Sequence, residues 1–255
     1  NDLPMDQADW GRITKGGAMA ILCKHYLNTK QWSNTNTIAQ QIIDLGKYSL
    51  QTTYQDVFDY QNEQNDEIMV VIPCDVSNQA DNANMGLTIP KDYPLEPNQA
   101  TWAARLYAYD WFIDSFDEND ERDDDIVLEY VNSSGDTVKG YGNDKSLPMF
   151  KYGPDPNAVG VNGGLDIPIL RYADILLSKA EALNELNGPT QESIDLINMV
   201  RNRAKVDPIQ LADFGSKADL RDHIFQERMW EFYYERKSRE DMLRYGNYIS
   251  FAQDR

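Results

Sequence analysis

Cysteine and histidine are scarce in this chain, and long apolar runs are absent. Two cysteines and two histidines occur among the 255 residues. Two cysteines are too few for a fold that is stabilised by disulfides. We therefore expect Cys23 and Cys74 to be buried thiols, with one disulfide between them as the open alternative. A membrane-spanning helix needs roughly 18 or more consecutive apolar residues. No run of that length occurs in the sequence, so none is predicted.

Basic residues are also few: 24 Lys and Arg stand against 42 Asp and Glu, a formal net charge of −18. This charge disfavours a nucleic-acid partner, because an acidic surface repels the phosphate backbone. It equally disfavours adsorption to anionic lipid. Neutral and cationic ligands are compatible with it, and the acidity fits an extracytoplasmic or surface-exposed protein.

The composition is globular, since 41% of the residues are apolar and 11% are aromatic. Disordered chains contain fewer rings and aliphatic side chains than this. The sequence begins with Asn-Asp-Leu-Pro, without a methionine, a signal peptide or a lipidation motif. We therefore expect it to be part of a longer protein.

Helical spacing of apolar residues predicts two pairs of helices. Residues 15–29 form the first helix, and residues 37–46 form its partner, with Gly46 as the stop signal. The first helix of the second pair is predicted over about 170–186, and the Asn-Gly-Pro sequence that follows ends it. Thr190 should cap the helix that follows.

The two pairs align with a constant offset, each about as long as a tetratricopeptide unit of ~34 residues. Hairpins of this kind bury their apolar faces only against neighbours. We predict a mainly α fold of tetratricopeptide-like helical hairpins with long irregular loops and a few short strands, forming a single domain over 1–255. The matching positions are Leu27 with Leu183, Asn28 with Asn184, and Ile38 with Ile194.

A loop-rich insertion is predicted between the hairpins, over 73–165. Irregular segments of this length are commonly functional or mobile, and this one contains many rings, which are unfavourable when exposed. For each ring, packing of a loop onto the helices is the simpler interpretation, and ligand contact is the alternative. The rings are Tyr93, Trp102, Tyr107, Tyr109, Trp111, Tyr130, Tyr141 and Tyr152.

The segment near the carboxyl end of the chain mixes rings with charges of both signs. Glu227, Glu231 and Glu235 are four residues apart, with Arg228 and Arg236 close by. On one continuous helix these side chains would form a ladder of ion pairs. We predict a buried ionic seam that fixes how the helix docks, in preference to a catalytic site.

No catalytic constellation stands out. His25 and His223 are isolated, without a zinc-ligand pair, and no G-x-S-x-G sequence occurs. The acidic run 117–125 could in principle supply glycosidase carboxylates or calcium ligands, but it lacks the spacing and glycine of an EF-hand. We predict a solvated acidic turn there, no enzymatic activity, no cofactor and no metal site.

Several blocks of the sequence, taken together in their order and spacing, resemble the SusD/RagB family of outer-membrane nutrient-binding lipoproteins of Bacteroidetes. One block is similar to that family's F-x-x-x-D-x-R turn through Phe116, Asp120 and Arg122. The last block departs from the family pattern at Arg236, where glycine is usual, and at Ser238, where arginine is usual. The resembling blocks are 11–50, 54–73, 112–125, 166–188, 196–204 and 224–246.

The resemblance implies a non-enzymatic role at the cell surface. Such proteins bind oligosaccharides or other nutrients and act as a lid on a TonB-dependent, SusC-like outer-membrane transporter. It also implies a lipid anchor facing the exterior in the full-length protein. We expect the amino-terminal part of the family, with its lipidated cysteine, to lie outside this sequence.

A glycan site combines a ring platform with nearby polar side chains. Trp102 follows a loop containing Pro and Asn, so we expect its ring to stand exposed, whereas Trp111 and Phe112 are assigned to the core. Tyr93, held extended by the following proline, is the second candidate platform. Hydroxyl-binding candidates are Asn98, Gln99 and Arg105.

Two other functions stay open from the sequence. A helical-repeat scaffold could bind a protein partner through its helix faces. A glycoside hydrolase using loop carboxylates is the third possibility.

Overall fold

The computed structural model describes residues 2–78, 80–102, 105–140 and 148–253. Most of the regular structure is helical, which confirms the predicted fold class, and the strands are short. The elements in chain order are α1 (Lys15–Asn28), α2 (Trp32–Asp44), β1 (Ile68–Ile72), α3 (Asn84–Thr88), α4 (Asp110–Ile113), β2 (Glu129–Val131), β3 (Thr137–Lys139), β4 (Ile167–Arg171), α5 (Tyr172–Asn187), α6 (Gln191–Arg203), α7 (Lys217–Glu231), α8 (Ser238–Tyr245) and α9 (Tyr248–Gln253).

The chain divides into two compact units. Unit 1 consists of 1–52, 64–71 and 168–255, and unit 2 consists of 53–63 and 72–167. Unit 2 therefore includes the whole of the predicted loop-rich insertion together with a short earlier segment. The prediction of a single domain over the whole chain stays a prediction. Tyr141 lies outside the described residues.

Both predicted hairpins are present in unit 1, where α1 packs on α2 and α5 packs on α6. Thr14 caps α1 by accepting the Gly17 N–H at 3.1 Å. α2 begins five residues earlier than predicted, at Trp32, because a tight turn with Lys30 at a φ of 57° joins it directly to α1. Thr190 caps α6 as predicted, in a capping box with Ser193.

α5 is the central helix of unit 1, because its residues are buried on every face from Tyr172 to Asn184. Its apolar side chains join those of α1, α2, α6 and α7 in one core. Full burial also encloses charged groups, which are unfavourable in an apolar interior without partners. Asp174 accepts Arg228 at 2.8 Å, and Glu181 accepts Arg244 at 2.7 Å.

The predicted ionic seam is buried, but its helix and its partners are not those expected. α7 ends at Glu231, and the chain turns through Tyr234 and Arg236, both at positive φ, before α8 begins. A ladder across this break cannot form, because Glu227 and Glu231 lie in α7 while Glu235 lies beyond its end. The glutamates pair instead across elements, with Arg171, Arg201 and Arg203.

The acidic run in unit 2 is not solvated at its centre, which corrects the sequence prediction. Asp120 and Arg122 are both buried. The Asp120 carboxylate accepts Nε of Arg122 at 2.8 Å and Nη2 at 2.7 Å. This pair closes the turn that resembles the family motif.

Both cysteines are free thiols. Cys23 lies in the core of unit 1, where burial raises its thiol pKa to about 12. Cys74 is only partly buried, so the prediction of buried thiols is confirmed for Cys23 and wrong for Cys74. None of the helices within the described ranges is long and apolar enough to cross a membrane.

Candidate functional site

The segment after residue 100 is held in place by the short helix α3 of unit 2. A helix leaves its last carbonyl groups without intrahelical donors. Here the backbone N–H groups of Trp102 and Arg105 donate to the carbonyls of Gly86 at 3.2 Å and Leu87 at 2.8 Å. Thr101 Oγ1 donates to the Ile89 carbonyl at 2.6 Å. These bonds fix two of the predicted ligand residues against one helix end.

The Trp102 ring lies over Gly86. A Cβ atom added at Gly86 would sit 3.3 Å from the indole, so the absence of a side chain there lets the ring approach the helix closely. Trp102 is nevertheless 52% exposed, as expected from the sequence. Arg105 is exposed as well. A ring supported from below and open above is the arrangement that a sugar platform requires.

Tyr93 lies in a packed cluster instead of standing free. Its ring centroid is 5.1 Å from that of Tyr130 and 5.1 Å from that of Phe150. It also packs against the small apolar core formed by Met85 and Ile89. Glycan contact by Tyr93 stays a prediction, and its observed role is to pack the loop.

Asn98 and Gln99 fasten one loop to another. The Asn98 amide donates to the carbonyls of Pro156 at 2.9 Å and Ala158 at 3.1 Å, and the Gln99 amide donates to Asp155 at 3.0 Å. Their amide N–H groups are therefore engaged by the backbone. Binding of a ligand hydroxyl by either side chain stays a prediction.

A second set of rings, Tyr107, Tyr109 and Trp111, forms what we call the aromatic strip. Tyr107 is 50% exposed and Tyr109 is 57% exposed. The centroids of Tyr107 and Tyr109 are 6.4 Å apart, and those of Tyr109 and Trp111 are 6.2 Å apart, with planes inclined by 23°. The buried ring next to the strip is Phe112, which confirms its assignment to the core, whereas Trp111 is only partly buried.

Sequence reasoning noted these rings but did not select them. The signal was their alternation: every second residue in Tyr107–Trp111 is aromatic, and extended chain places alternate side chains on the same side. Tyr109 has an extended backbone, with φ −80° and ψ 147°. The extended segment ends there, because α4 begins at Asp110 and contains Trp111.

A cavity of about 370 Å³ also opens in unit 2, with walls that include Tyr60 and Tyr152. Lys151 also lines the cavity; it is buried, and its ammonium group lies 5.1 Å from the ring centre of Tyr54, a cation–π contact. Burial raises the pKa of Asp125 in its wall to about 6, against the lowering effect of Lys151. Rings and a carboxylate together could receive a small hydroxylated ligand.

The electrostatics of unit 2 are strongly acidic. Its residues include 21 Asp and Glu against six Lys and Arg, a formal charge of −15 out of the −18 of the whole chain. In the part of the chain that the structure describes, no group of three or more His, Cys, Asp or Glu is arranged to hold a metal ion.

Comparison with known proteins identifies relatives of one family. The model of the SusD family matches residues 109–253. A SusD-like protein from Formosa agariphila is 25% identical over 283 aligned residues, covering 97% of this chain and 53% of that protein. The chain thus spans about half the length of this relative.

Solved structures show the same fold. A SusD homolog from Bacteroides thetaiotaomicron superposes with a TM-score of 0.82 at 22% identity, covering 99% of this chain and 58% of that one. Surface glycan-binding protein A from the same species, in complex with laminarihexaose, superposes with a TM-score of 0.75 at 19% identity, covering 96% and 57%. Because the family model matches more than half of the sequence, the chain belongs to the SusD family.

Proposed function

We propose that this chain is the glycan-binding part of a non-catalytic cell-surface protein. The observation that carries the proposal is the group of exposed rings on unit 2, Trp102, Tyr107 and Tyr109. Membership of the SusD family supports it, as does the structural relative that holds laminarihexaose. Oligosaccharide is the expected ligand class.

The physical basis is the complementarity between rings and sugars. Sugar faces are weakly apolar and edged by hydroxyl groups, so they pack on aromatic rings while hydroxyls bond to polar neighbours. Hydrogen bonds to α3 already hold the backbone at Trp102 and Arg105 before any ligand arrives. Less ordering is then needed on binding, which favours affinity.

The proposed cellular role is delivery of the bound oligosaccharide to a TonB-dependent, SusC-like transporter. Family membership supports this role. It also supports the proposed lipid anchor at the outer membrane and the exposure of the full-length protein to the exterior. We expect the isolated chain to be monomeric. Purification of the full-length lipoprotein from native membranes should recover a barrel transporter with it, and repeated recovery without one would contradict the partnership.

Affinity electrophoresis against a panel of neutral polysaccharides tests the binding proposal. We expect at least one polysaccharide to retard the chain without releasing reducing ends. Release of products would establish the hydrolase alternative. Absence of retardation by every member of the panel, with a folded chain, would contradict glycan binding.

The alternative of a protein-interaction scaffold is favoured by one feature of unit 1. An apolar cavity of about 460 Å³ lies along the α1–α2 hairpin, with Met19, Leu22 and Leu45 in its wall. Leu22→Glu would abolish partner binding in a scaffold that uses this face. In the proposed glycan-binding protein the same substitution leaves polysaccharide retention unchanged.

A further inference from the structure

Unit 1 contains a cavity of about 330 Å³ that is unrelated to the exposed rings of unit 2. It opens where the α1–α2 turn meets the side chains of α5, α7 and α8. Its wall is mainly polar and charged, with one indole. The residues of the wall are Lys30, Trp32, Glu181, Glu185, Arg221, Arg244 and Tyr245.

The two carboxylates of this cavity are already occupied. Glu185 accepts Nε of Arg221 at 2.5 Å and Nη2 at 2.7 Å. Glu181 accepts Nε of Arg244 at 2.7 Å and Nη2 at 2.9 Å. Both pairs are bidentate, because each guanidinium donates two hydrogen bonds to one carboxylate. The acceptors of the wall are therefore satisfied by its own cations.

Several donors of the wall are not used. The Tyr245 hydroxyl is buried and has no hydrogen-bond partner among the described residues. A buried hydroxyl left without a partner is unfavourable by the free energy of its lost hydration. Burial raises the pKa of Tyr245 well above its ordinary value, so the phenol keeps its proton and remains a donor. In the described part of the chain, the Lys30 ammonium, which is exposed to solvent, and Nη1 of Arg221 also donate no hydrogen bond to the protein.

The charge of the wall is positive although the protein is acidic. Lys30, Arg221 and Arg244 stand against Glu181 and Glu185, while the whole chain carries −18. Arg244 also donates Nη1 to Asp241 at 2.7 Å, so Lys30 is the cation of the wall that has no carboxylate among the described residues, and the unused donors favour a ligand rich in acceptors. The indole of Trp32 supplies a flat apolar wall beside them.

We propose that this cavity binds a carboxylate group, held by Lys30 and Arg221 with a hydrogen bond from the Tyr245 hydroxyl. A uronic acid residue of a glycan and the terminal carboxylate of a peptide share this chemistry. The size of the cavity fits one such unit with its nearest neighbours, and the Trp32 ring would lie against the ligand. This site is separate from the glycan function proposed for unit 2 and does not depend on it.

Isothermal titration calorimetry with glucuronate and glucose tests the proposal, because the two sugars differ only in the carboxylate. We expect glucuronate to bind at least about tenfold more tightly, the difference that one charge-assisted contact produces. A short peptide with a free carboxyl terminus, compared with its amide, tests the second source. Binding of either carboxylate over its neutral partner supports the proposal, and equal binding or no binding in both comparisons overturns it.

Three variants of the whole chain separate binding from structure. Lys30→Met should weaken carboxylate binding by about tenfold. Lys205→Met is the matched control, since Lys205 is also exposed and has a φ of 61° against 57° for Lys30. Tyr245→Phe should weaken binding while the melting temperature stays equal or rises, because it removes only an unpartnered hydroxyl. An equal loss in the Lys205 variant, or full binding in both cavity variants, would overturn the assignment.

Discussion

At the scale of single residues, the guanidinium of Arg171 connects three distant parts of unit 1. It donates to Glu67 at 2.7 Å, to Glu231 at 2.5 Å and to Glu235 at 2.7 and 2.9 Å, and none of these four side chains is accessible to solvent. Arg203 joins the same cluster. Removing one member of such a network leaves an uncompensated buried charge, which is more harmful than losing a surface pair.

Glu231→Ala should therefore destabilise the fold strongly. Arg171 and Arg203 would each lose a buried carboxylate, at about 3–5 kcal/mol for a broken buried pair. For a chain of this size that corresponds to a fall in melting temperature of roughly 6 °C or more. Differential scanning calorimetry measures it.

Glu129→Ala is the control for that experiment. Glu129 pairs with Lys139, and the two side chains are 53% and 69% exposed, so its loss should change stability by at most about 1 kcal/mol. If both variants melted at the wild-type temperature, the network would contribute nothing to stability and the account of the ionic cluster would be wrong.

At the scale of elements, the turn between α7 and α8 contains local strain. Tyr234 and Arg236 have φ values of 61° and 63°, in the left-handed region that favours glycine. The resemblance to the SusD/RagB family places a glycine at position 236, so the arginine occupies a conformation that suits the residue it replaces. Its side chain is exposed.

Arg236→Gly should stabilise this chain by about 1 kcal/mol, because glycine adopts the left-handed conformation without the steric penalty. Arg239→Gly is the matched control. Arg239 is also exposed but lies within α8, where glycine should destabilise by about 0.5–1 kcal/mol. Urea unfolding of both variants measures the difference, and destabilisation by Arg236→Gly would show that the turn is not strained.

The helices also show which parts of the fold can be predicted from the sequence. Apolar spacing and the Thr190 cap predicted the hairpins, because local signals determine where isolated helices begin and end. The break after Glu231 was missed, since no glycine or proline marks it. The Arg171–Glu67 pair could not be predicted, because its residues are 104 positions apart and meet only through the fold. At the candidate site, the exposure of Trp102 followed from its loop, whereas the packing of Tyr93 depended on Tyr130 and Phe150.

At the scale of the whole molecule, the two units should respond differently to pH. Burial raises the pKa of Glu63 in unit 2 to about 7, and burial with neighbouring Asp120 raises the pKa of Asp123 to about 6. In unit 1, burial opposes ionisation of Asp241, but Arg228 and Lys24 outweigh it and lower the pKa to about 2.

Glu63 and Asp123 stabilise unit 2 fully at a pH below the pKa of the same groups in the unfolded chain, which is about 4. Their contribution is lost as the pH rises through their folded pKa values, from 6 to 7. The lowered group in unit 1 loses its effect only as the pH falls towards 2. Hydrogen exchange, corrected for intrinsic rates, should therefore show weaker protection of unit 2 at pH 7.5 than at pH 5, with little change in unit 1. Glu63→Gln should reduce the difference in protection of unit 2 between pH 5 and pH 7.5. An identical pH response in the wild-type chain and in the Glu63→Gln variant would contradict the assignment to Glu63.

The central claim is that exposed rings of unit 2 bind glycan, and the retention of Trp102→Ala in affinity electrophoresis tests it most directly. The gel should contain the polysaccharide that retards the wild-type chain most, and melting should be measured on the same preparation. We predict that retention falls sharply while the melting temperature changes little, because the indole is 52% exposed. Tyr93→Ala, which removes a packed ring, should instead lower the melting temperature. Full retention by a folded Trp102→Ala chain, or loss of its fold, would contradict the account.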